Sequence, residues 1–554
     1  MIKIKFFFSS TLFYLLFILL LILYTFWRLP QTFYQQDEWL GLGQVLAFSW
    51  ESVSNGYSPI GLFMGEGRPL TRIFGVLIFG NFPYDSLSLS IYSIGFHFLN
   101  SILVFFIALR LLKKNYLALI SSLFFAINNV THQSVTWFAA SFGLQPATTL
   151  ILLSIFAFIR FVEKENKKFL YLSFISVILS LYFKENGVFL FLFLPVIPFL
   201  LGKKINFKRY SKQLVPLIVF IFIFASYRLL EMLSGSYVSN SVYASISNQN
   251  ILVTLVTRFI MYPLTSFSLI YIPYPISTFL TFSFLDAYYP FIVNRPDLVA
   301  YTVVLDMLAI IGSFLIFIFL YFIGKDRKET KKVIIFSLLF FFLSLLPYIV
   351  ISKTYAYMEP RYYYIASIPA GFLLALITRY LIEKINKRKL GLILIILFFS
   401  FYLLSQIMPI KKDIVAQVIV ASERRLFLKQ LNSLLPTLNK DENIFYFTGD
   451  RSWYVEKNKI PFQHGFGHSI MVLYLSSEKI PKQLLSTEYL WGLGEEGYRK
   501  IGNKSYGYFN DIENLKKTVK ENNINPDNIH AFYYKSEDLK LLDISENVRR
   551  DLEN

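Results

Sequence analysis

The chain has 554 residues, of which 55% are hydrophobic, and its mean hydropathy is +0.50. A soluble protein of this length could not bury so much apolar surface, so the composition indicates a polytopic membrane protein. The chain contains no cysteine, which excludes disulfides and thiolate metal sites. The net charge of +18 comes from basic residues between apolar runs. That pattern is typical of membrane topology, and nucleic acid is not an expected partner.

About eleven apolar runs are predicted to be transmembrane helices, since about 20 residues are needed to cross a bilayer. The first run follows a basic start, but it is too long for a signal peptide and no small-residue cleavage site follows it. It is therefore predicted to be a retained helix. The predicted spans lie near residues 6–27, 88–111, 116–131, 137–160, 169–184, 186–201, 213–233, 299–323, 333–351, 362–382 and 390–408.

The loops between these spans differ in charge, and the difference predicts the orientation. The segments rich in Lys and Arg are expected on the cytoplasmic side, together with the N-terminus. These segments are 110–114, 163–168, 203–212, 325–332 and 383–389. The loop with Asp37 and Glu38, the 234–298 region and the tail after about 409 are then extracytoplasmic. The sequence thus predicts a multi-pass protein of the plasma or inner membrane.

The external loops are themselves apolar and aromatic. Residues 28–87 contain "WLGLGQVLAFSW" and "PLTRIFGVLIFG", and residues 250–295 are similar but are interrupted by prolines. Such amphipathic stretches are expected to lie along the membrane interface as helices or to re-enter the membrane.

The last part of the chain has the character of a soluble domain. From about 415, an amphipathic helix, "VIVASERRLFLKQLNSLLPTL", precedes four predicted strands, "NIFYFTG", "IMVLYLS", "KSYGYFN" and "HAFYYK". A helix, "DIENLKKTVKENN", separates the last two strands. The predicted fold is therefore mainly α: a transmembrane bundle over 1–408, with interfacial helices and a small C-terminal α/β or α+β domain over 409–554.

Polar residues that interrupt the apolar sequence gather at the predicted outer face of the membrane. Charged groups at membrane depth are costly, so each is a candidate functional residue. A structural role is the alternative for each residue taken alone, such as an interfacial ion pair between Lys184 and Glu185 or a hydrogen bond between His97 and Asn100. The candidates are Asp37, Glu38, Arg68, His97, Asn100, His132, Lys184, Glu185, Glu359 and Arg361.

These residue types fit one kind of reaction. A carboxylate at the membrane surface can act as a general base on a hydroxyl. Arg and Lys can hold a phosphate and stabilise it as a leaving group. Interfacial helices can guide a lipid-linked substrate. The combination predicts transfer of a group from a lipid phosphate to an external acceptor. An inverting sugar transfer needs no second carboxylate as acid, because phosphate leaves unprotonated.

At these residues the sequence resembles the GT-C superfamily of polyprenyl-phosphate-sugar-dependent glycosyltransferases, and in particular its protein O-mannosyltransferase-like branch and bacterial relatives. An acidic pair follows the first helix, and five further elements follow in the family's order. The six elements are "QQDEW", "GRPLTRIF", "HFLNSILVF", "THQSVTWFAASFG", "FKENG" and "EPRYYYIASIPAGF".

The resemblance implies a role for each matching position. Asp37 is expected to be the catalytic base, and its neighbour Glu38 is the second residue assigned to catalysis. Arg68, Lys184 and Arg361 are expected near the phosphate of the donor. His132 is expected at the mouth of the site.

The expected partners follow from the predicted transfer reaction and from the family resemblance. They are a polyprenyl-phosphate sugar, the lipid of the membrane, and a protein, lipid or glycan acceptor. The remaining candidates, His97, Asn100, Glu185 and Glu359, are assigned to substrate binding. No cofactor is expected, and one acidic pair without a second acidic cluster does not favour a divalent metal.

Three other functions stay open on the sequence alone. An envelope polysaccharide polymerase or ligase would need a large external loop with several Arg and His, whereas the 234–298 region has only Arg258 and Arg295. A transporter or flippase would show related halves and charges near the membrane midplane. The tail could instead bind a partner or, through His464 and His468, a metal, although "HGFGH" is glycine-rich and a poor helix.

Overall fold

The computed structural model describes residues 11–35, 37–47, 68–203, 207–233, 251–288, 298–349, 360–385, 389–439, 441–453, 459–462, 466–475 and 496–553. The chain divides into two compact units. Unit 1 consists of Met1–Trp27, Pro59–Thr71 and Ile91–Lys412. Unit 2 consists of Arg28–Ser58, Arg72–Ser90 and Asp413–Asn554.

Up to residue 434, the described residues form helices joined by turns and short irregular segments, and no strand is among them. The longer helices, numbered in chain order, are α1 (Thr11–Phe26), α2 (Asp37–Ala47), α3 (Pro69–Asn81), α4 (Ser86–Leu112), α5 (Asn115–Ala126), α6 (Phe138–Lys164), α7 (Lys167–Phe183), α8 (Phe207–Leu233), α9 (Ile251–Phe267), α10 (Tyr274–Tyr288), α11 (Leu298–Gly324), α12 (Lys328–Ser344), α13 (Ser367–Ile385) and α14 (Lys389–Leu434).

Several of these helices have the length and composition of membrane spans. Among the described residues, five are long and apolar enough to cross a bilayer: Thr11–Gln31, Ser86–Leu112, Phe138–Lys164, Val303–Gly324 and Lys328–Tyr348. Shorter apolar helices accompany them. The chain is thus a mainly α, integral membrane protein, as predicted. The orientation in the membrane and the interfacial position of α2 and α3 remain predictions.

Two predicted spans differ from the observed helices. The segment predicted as 186–201 is a series of short α and 3-10 turns from Glu185 to Leu200. Pro195 and Pro198 lie within it, and each removes a backbone donor from a regular helix. The span predicted to end at 408 continues without a break to Leu434, so it includes the amphipathic helix that was expected to be separate.

The tight connection between α6 and α7 follows from its capping residues. Glu165 takes the left-handed conformation (φ +53°), and its N–H donates to Phe161 O. Asn166 then caps α7 by accepting from Lys168 N. This polar turn ends one helix and starts the next within two residues, and α6 and α7 pack along their length.

A proline inside α6 is compensated by a tyrosine from another helix. Pro146 has no N–H, so the carbonyl of Phe142, four residues earlier, loses its partner within the helix. Tyr92 Oη in α4 donates to that carbonyl at 3.1 Å. The hydrogen bond therefore links two helices of unit 1 at a position where the backbone would otherwise be left unsatisfied.

Close helix packing in unit 1 depends on Gly371 of α13. A Cβ at this position would lie 2.6 Å from Ser121 O of α5, which is a backbone atom. We expect Gly371→Ala to reduce the free energy of unfolding by about 1–3 kcal/mol, because one of the two helices must shift. Thermal denaturation of the purified protein in detergent measures this effect.

The matched control for Gly371 is Gly95, a helical glycine of α4. A Cβ at Gly95 has no other atom within 4 Å. Gly95→Ala is expected to leave stability unchanged or slightly raised, because alanine has the higher helix propensity. Equal destabilisation by both substitutions would show that the α5–α13 contact does not limit stability.

Beyond residue 434, unit 2 forms a small α/β fold. The sheet has strands β1 (Glu442–Gly449), β2 (Gly497–Ile501), β3 (Lys504–Phe509), β4 (Ile529–Lys535) and β5 (Lys540–Asp543), in the order β2-β3-β1-β4-β5. The central strands β3, β1 and β4 are parallel, and the two edge strands are antiparallel to their neighbours. Its helices are α15 (Phe466–Leu475), α16 (Ile512–Asn522) and α17 (Ser545–Glu553).

Most of the predicted C-terminal elements are confirmed, and one is wrong. Three predicted strands form β1, β3 and β4, and the predicted helix forms α16, which Asp511 caps. Residues Ile470 to Leu475 of the predicted strand "IMVLYLS" lie in helix α15, and Ser476 lies outside the described residues. Ile470, Met471 and Val472 are all fully buried, and a short run that is buried on every side has no periodicity to separate strand from helix.

Candidate functional site

The acidic pair lies in the first turn of α2. Negative side chains are favourable there, because they interact with the positive end of the helix dipole. Glu38 is fully buried, and its Oε2 accepts from Gln35 N at 3.0 Å. Asp37 is half-buried. The two neighbouring acids therefore have different surroundings, and Glu38 stabilises the turn that presents Asp37.

Aromatic side chains of unit 2 enclose this turn. Trp39 packs edge-on against Phe33 and Tyr34, with ring centroids 5.9 and 5.4 Å apart. Tyr34 also contacts the rings of Phe79 and Tyr84, and its Oη accepts from Tyr84 N at 2.9 Å. Burial raises the pKa of Tyr34 above its ordinary value, so the phenol stays neutral. The backbone before Asp37 is thus held by packing.

A cationic cluster lies in unit 1. Arg68 Nη2 is 3.1 Å from Glu185 Oε2, and Arg68 Nε is 3.2 Å from the same oxygen. Lys184 interacts electrostatically with Arg68, Glu185 and Arg361. The structure therefore pairs Arg68 with Glu185, which are far apart in sequence, and Lys184 and Arg361 interact electrostatically in the same region. The group contains two guanidinium groups, one lysine and one carboxylate.

Local backbone structure explains how two of these residues are presented. Arg68 takes the left-handed conformation (φ +47°) immediately before Pro69, the first residue of α3. Lys184 is extended and ends α7, and Glu185 begins a 3-10 turn. A Cβ at Gly187 would lie 2.2 Å from Ser180 Oγ. A larger residue at the fourth position of the "KENG" turn would therefore displace the Ser180 hydroxyl.

Arg361 is held by aromatic rings. Its guanidinium lies 4.3 Å from the ring centroid of Trp137 and 5.0 Å from that of Tyr362. Ser134 Oγ donates to Arg361 O at 3.2 Å. Tyr348 stacks against Tyr362 with centroids 4.6 Å apart. Cation–π contacts with two rings orient the guanidinium without neutralising its charge.

His97 and Asn100 belong to a buried hydrogen-bond network in unit 1. Ala126 O can only accept, so His97 Nε2 donates to it at 2.8 Å, and Nδ1 accepts from Tyr364 Oη at 2.8 Å. Asn100 Nδ2 donates to Tyr364 Oη at 3.3 Å and to Gln145 O at 3.2 Å. His97 is 2% exposed and Asn100 is fully buried. The structural alternative predicted from the sequence was a direct bond between His97 and Asn100, whereas the structure joins them through Tyr364.

This network satisfies a backbone carbonyl at the C-terminal end of α5. The carbonyl of Ala126 lies at the C-terminal end of α5, where the last carbonyls of a helix have no partner within it. His97 satisfies that carbonyl, and Thr149 Oγ1 donates to Asn100 Oδ1 at 2.7 Å. The geometry supports a structural role for both residues, and direct contact with a substrate remains a prediction.

The remaining residues named by the sequence prediction are His132, Glu359 and the two histidines of the C-terminal domain. His132 Nδ1 hydrogen-bonds to Asn129 O in the turn between α5 and α6, and its place at the mouth of a site remains a prediction. Glu359 and His464 lie outside the described residues, as does the side chain of His468. Among the described residues, no group of three or more His, Cys, Asp or Glu could hold a metal ion.

Some residues that shape these regions were not predicted. Trp137 and Tyr362 stack on Arg361, and two arginines of α14, Arg424 and Arg425, bind the backbone before Asp37. The only signal in the sequence was an arginine pair in the amphipathic helix "ASERRLF". A charged pair on such a helix usually lies in solvent, so the sequence alone could not assign the role.

The two acids are expected to respond differently to amide substitution. Glu38→Gln keeps an oxygen that can accept from Gln35 N, so we expect activity within about fivefold of wild type. Glu38→Ala removes this acceptor and leaves a buried N–H unsatisfied, at a cost of about 1–3 kcal/mol. Transfer rates and thermal stability of both variants test this. A large loss of activity in Glu38→Gln without destabilisation would assign the chemistry to Glu38.

Comparisons with known proteins give limited guidance. No family model and no curated protein sequence matches the chain. Among solved structures, the chain is similar to the crystal structure of ArnT from Cupriavidus metallidurans bound to undecaprenyl phosphate. The match covers 93% of this chain and 95% of that chain, with 11% sequence identity and a TM-score of 0.36. The function has to be argued from the chain's own residues.

Proposed function

We propose that the protein is an integral-membrane glycosyltransferase, which transfers a sugar from a polyprenyl phosphate to an acceptor on the extracytoplasmic face. The acceptor is a hydroxyl-bearing protein, lipid or glycan. The observation that carries the proposal is a set of basic residues: Arg68, which pairs at 3.1 Å with Glu185, the neighbour of Lys184 in the chain, and Arg361, which Trp137 and Tyr362 hold through cation–π contacts. Charged side chains at membrane depth are costly and usually functional, Arg and Lys bind phosphate oxygens, and a lipid phosphate is an anion that a membrane supplies.

In this reaction the cluster binds the donor and stabilises the leaving group. The guanidinium groups of Arg68 and Arg361 donate to phosphate oxygens, and Lys184 contributes a positive charge. Charge grows on the phosphate as its bond to the sugar breaks, so fixed cations favour the transition state over the bound donor. Glu185 holds Arg68 in place through the ion pair.

The proposal assigns the proton transfer to Asp37. The acceptor oxygen attacks C1 of the sugar as the bond between C1 and the phosphate oxygen breaks. The acceptor's proton passes to the Asp37 carboxylate, and polyprenyl phosphate leaves with the bonding electrons. One displacement of this kind inverts the configuration at C1. The phosphate needs no proton to leave, so one general base is sufficient.

A transfer assay with purified protein in proteoliposomes tests the proposal. The donors are a panel of polyprenyl-phosphate monosaccharides with radiolabelled sugar, and membrane extract supplies the acceptors. We expect labelled acceptor together with an equal amount of free polyprenyl phosphate. Consumption of polyprenyl-diphosphate glycans alone would support a polymerase or ligase. Movement of intact donor between leaflets without transfer would support a flippase.

A further inference from the structure

A buried arginine links three segments within unit 2. Arg424 of α14 is 3% exposed. Its Nη1 donates to Tyr34 O at 2.9 Å, and its Nε donates to Pro461 O at 2.8 Å. Tyr34 precedes Asp37 by three residues, and Pro461 lies in a loop of the C-terminal domain. One guanidinium therefore holds the backbone before the acidic pair and the backbone of the C-terminal domain.

Arg425 binds the same segment slightly earlier. Its Nη1 donates to Gln31 O at 2.9 Å and its Nη2 to Thr32 O at 2.6 Å, and its guanidinium lies 5.0 Å from the ring centroid of Phe33. Two adjacent arginines thus bind three carbonyls of residues 31–34. Because these bonds reach backbone atoms, they fix the path of the chain independently of its side chains.

Further contacts from the part of the chain after residue 412 hold Gln35 and helix α2. Gln35 Nε2 donates to Gln417 Oε1 of α14 at 3.3 Å. Helix α15 of the C-terminal domain packs against α2, the helix that Asp37 begins. Residues on both sides of Asp37 are therefore held by the part of the chain after residue 412.

We propose that Arg424 and Arg425 are positioning residues that set the place of Asp37, so that the C-terminal domain takes part in the transfer reaction. This inference rests on the proposed function, in which Asp37 is the general base. A guanidinium stays charged at all relevant pH values and presents several donors in one plane, so it can hold two backbone segments in one geometry. Misplacement of a catalytic group by about 1 Å can cost on the order of a hundredfold in rate.

The first test compares Arg424→Met with Arg424→Lys and with a control. The control is Arg549→Met, because Arg549 also donates to backbone carbonyls, those of Ile529 and Asp527, but only within the C-terminal domain. We expect Arg424→Met to lower kcat for sugar transfer by about 10- to 100-fold with the KM for the donor within about twofold. Arg424→Lys is expected to recover part of kcat, and Arg549→Met to keep it.

The second test does not depend on activity. Amide hydrogen exchange, followed by mass spectrometry in detergent, reports the opening of each peptide. We expect Arg424→Met to increase exchange in peptides that cover residues 30–43 and to leave those that cover 96–112 unchanged. Unchanged exchange at 30–43 would overturn the inference. Increased exchange at 30–43 with unchanged kcat would overturn it as well.

A third test restores the position chemically. The chain has no cysteine, so Gln35→Cys and Gln417→Cys provide the only two thiols in an Arg424→Met background. A short bifunctional thiol reagent then replaces the contact between these side chains. We expect cross-linking to raise kcat at least about fivefold above the uncross-linked triple variant. Failure of the cross-linked protein to regain turnover would overturn the inference.

The two proposals fail in different ways. If wild-type protein transfers no sugar from any donor, the proposed function fails, and with it the catalytic part of this inference. If wild-type protein transfers sugar while Arg424→Met and Arg549→Met both keep full kcat, the proposed function stands and the positioning role fails.

Discussion

Replacing Asp37 with asparagine is expected to lower kcat for sugar transfer by at least about a hundredfold, the contribution typical of a positioned general base. The amide keeps nearly the same shape but does not take a proton from the acceptor hydroxyl. Asp37 is half-buried at the start of α2, and the turn is held by Glu38, Trp39 and Tyr34 rather than by Asp37 alone. Radiolabelled transfer under saturating donor measures the effect.

Two control measurements distinguish the loss of the general base from damage to the folded protein. The donor KM of Asp37→Asn should stay within about threefold of wild type, because the residues proposed to bind the phosphate are unchanged. Thermal stability should also be close to that of wild type. If Asp37→Asn keeps its turnover, the proposed reaction class is unaffected, but a group other than Asp37 takes the proton.

Replacing Arg68 with glutamine is expected to lower kcat/KM for the donor by about 10- to 100-fold. A hydrogen bond to a charged group contributes about 1.5–3 kcal/mol, which corresponds to this range. Arg68 pairs with Glu185 at 3.1 Å, and the side chains are 44% and 27% exposed. An ion pair that is so accessible adds only about 0–1 kcal/mol to stability, so the loss should appear in activity and hardly in unfolding.

Arg110 supplies a matched control for Arg68. It pairs with Glu163 at 3.7 Å in a predicted cytoplasmic region of unit 1, and those side chains are 42% and 30% exposed. Arg110→Gln should therefore have the same small effect on stability, while kcat/KM stays within about twofold. Similar losses of activity in both variants would argue against a phosphate ligand at Arg68 and for a general effect of charge.

The charged residues of the cationic cluster could be predicted from the sequence, but the aromatic residues that hold Arg361 could not. Arg68, Lys184, Glu185 and Arg361 were each selected because charge at membrane depth is costly. The structure places all four in unit 1, where Arg68 pairs with Glu185. The support of Arg361 by Trp137 was not predicted, because a contact between residues so far apart in sequence leaves no local pattern, and the contact with Tyr362 depends on side-chain orientation.

The sequence by itself determined the mainly helical, membrane-spanning class, three of the C-terminal strands and the candidate charged residues. These properties depend on local composition, on hydrophobic periodicity and on the cost of isolated charge, which a single sequence displays. Only the tertiary structure decided that Ile470 to Leu475 form a helix, that His97 and Asn100 bond to Tyr364, and that Arg424 binds the backbone before Asp37. The hydrogen-bond partners are distant in sequence. Burial and hydrogen bonding are properties of the assembled fold.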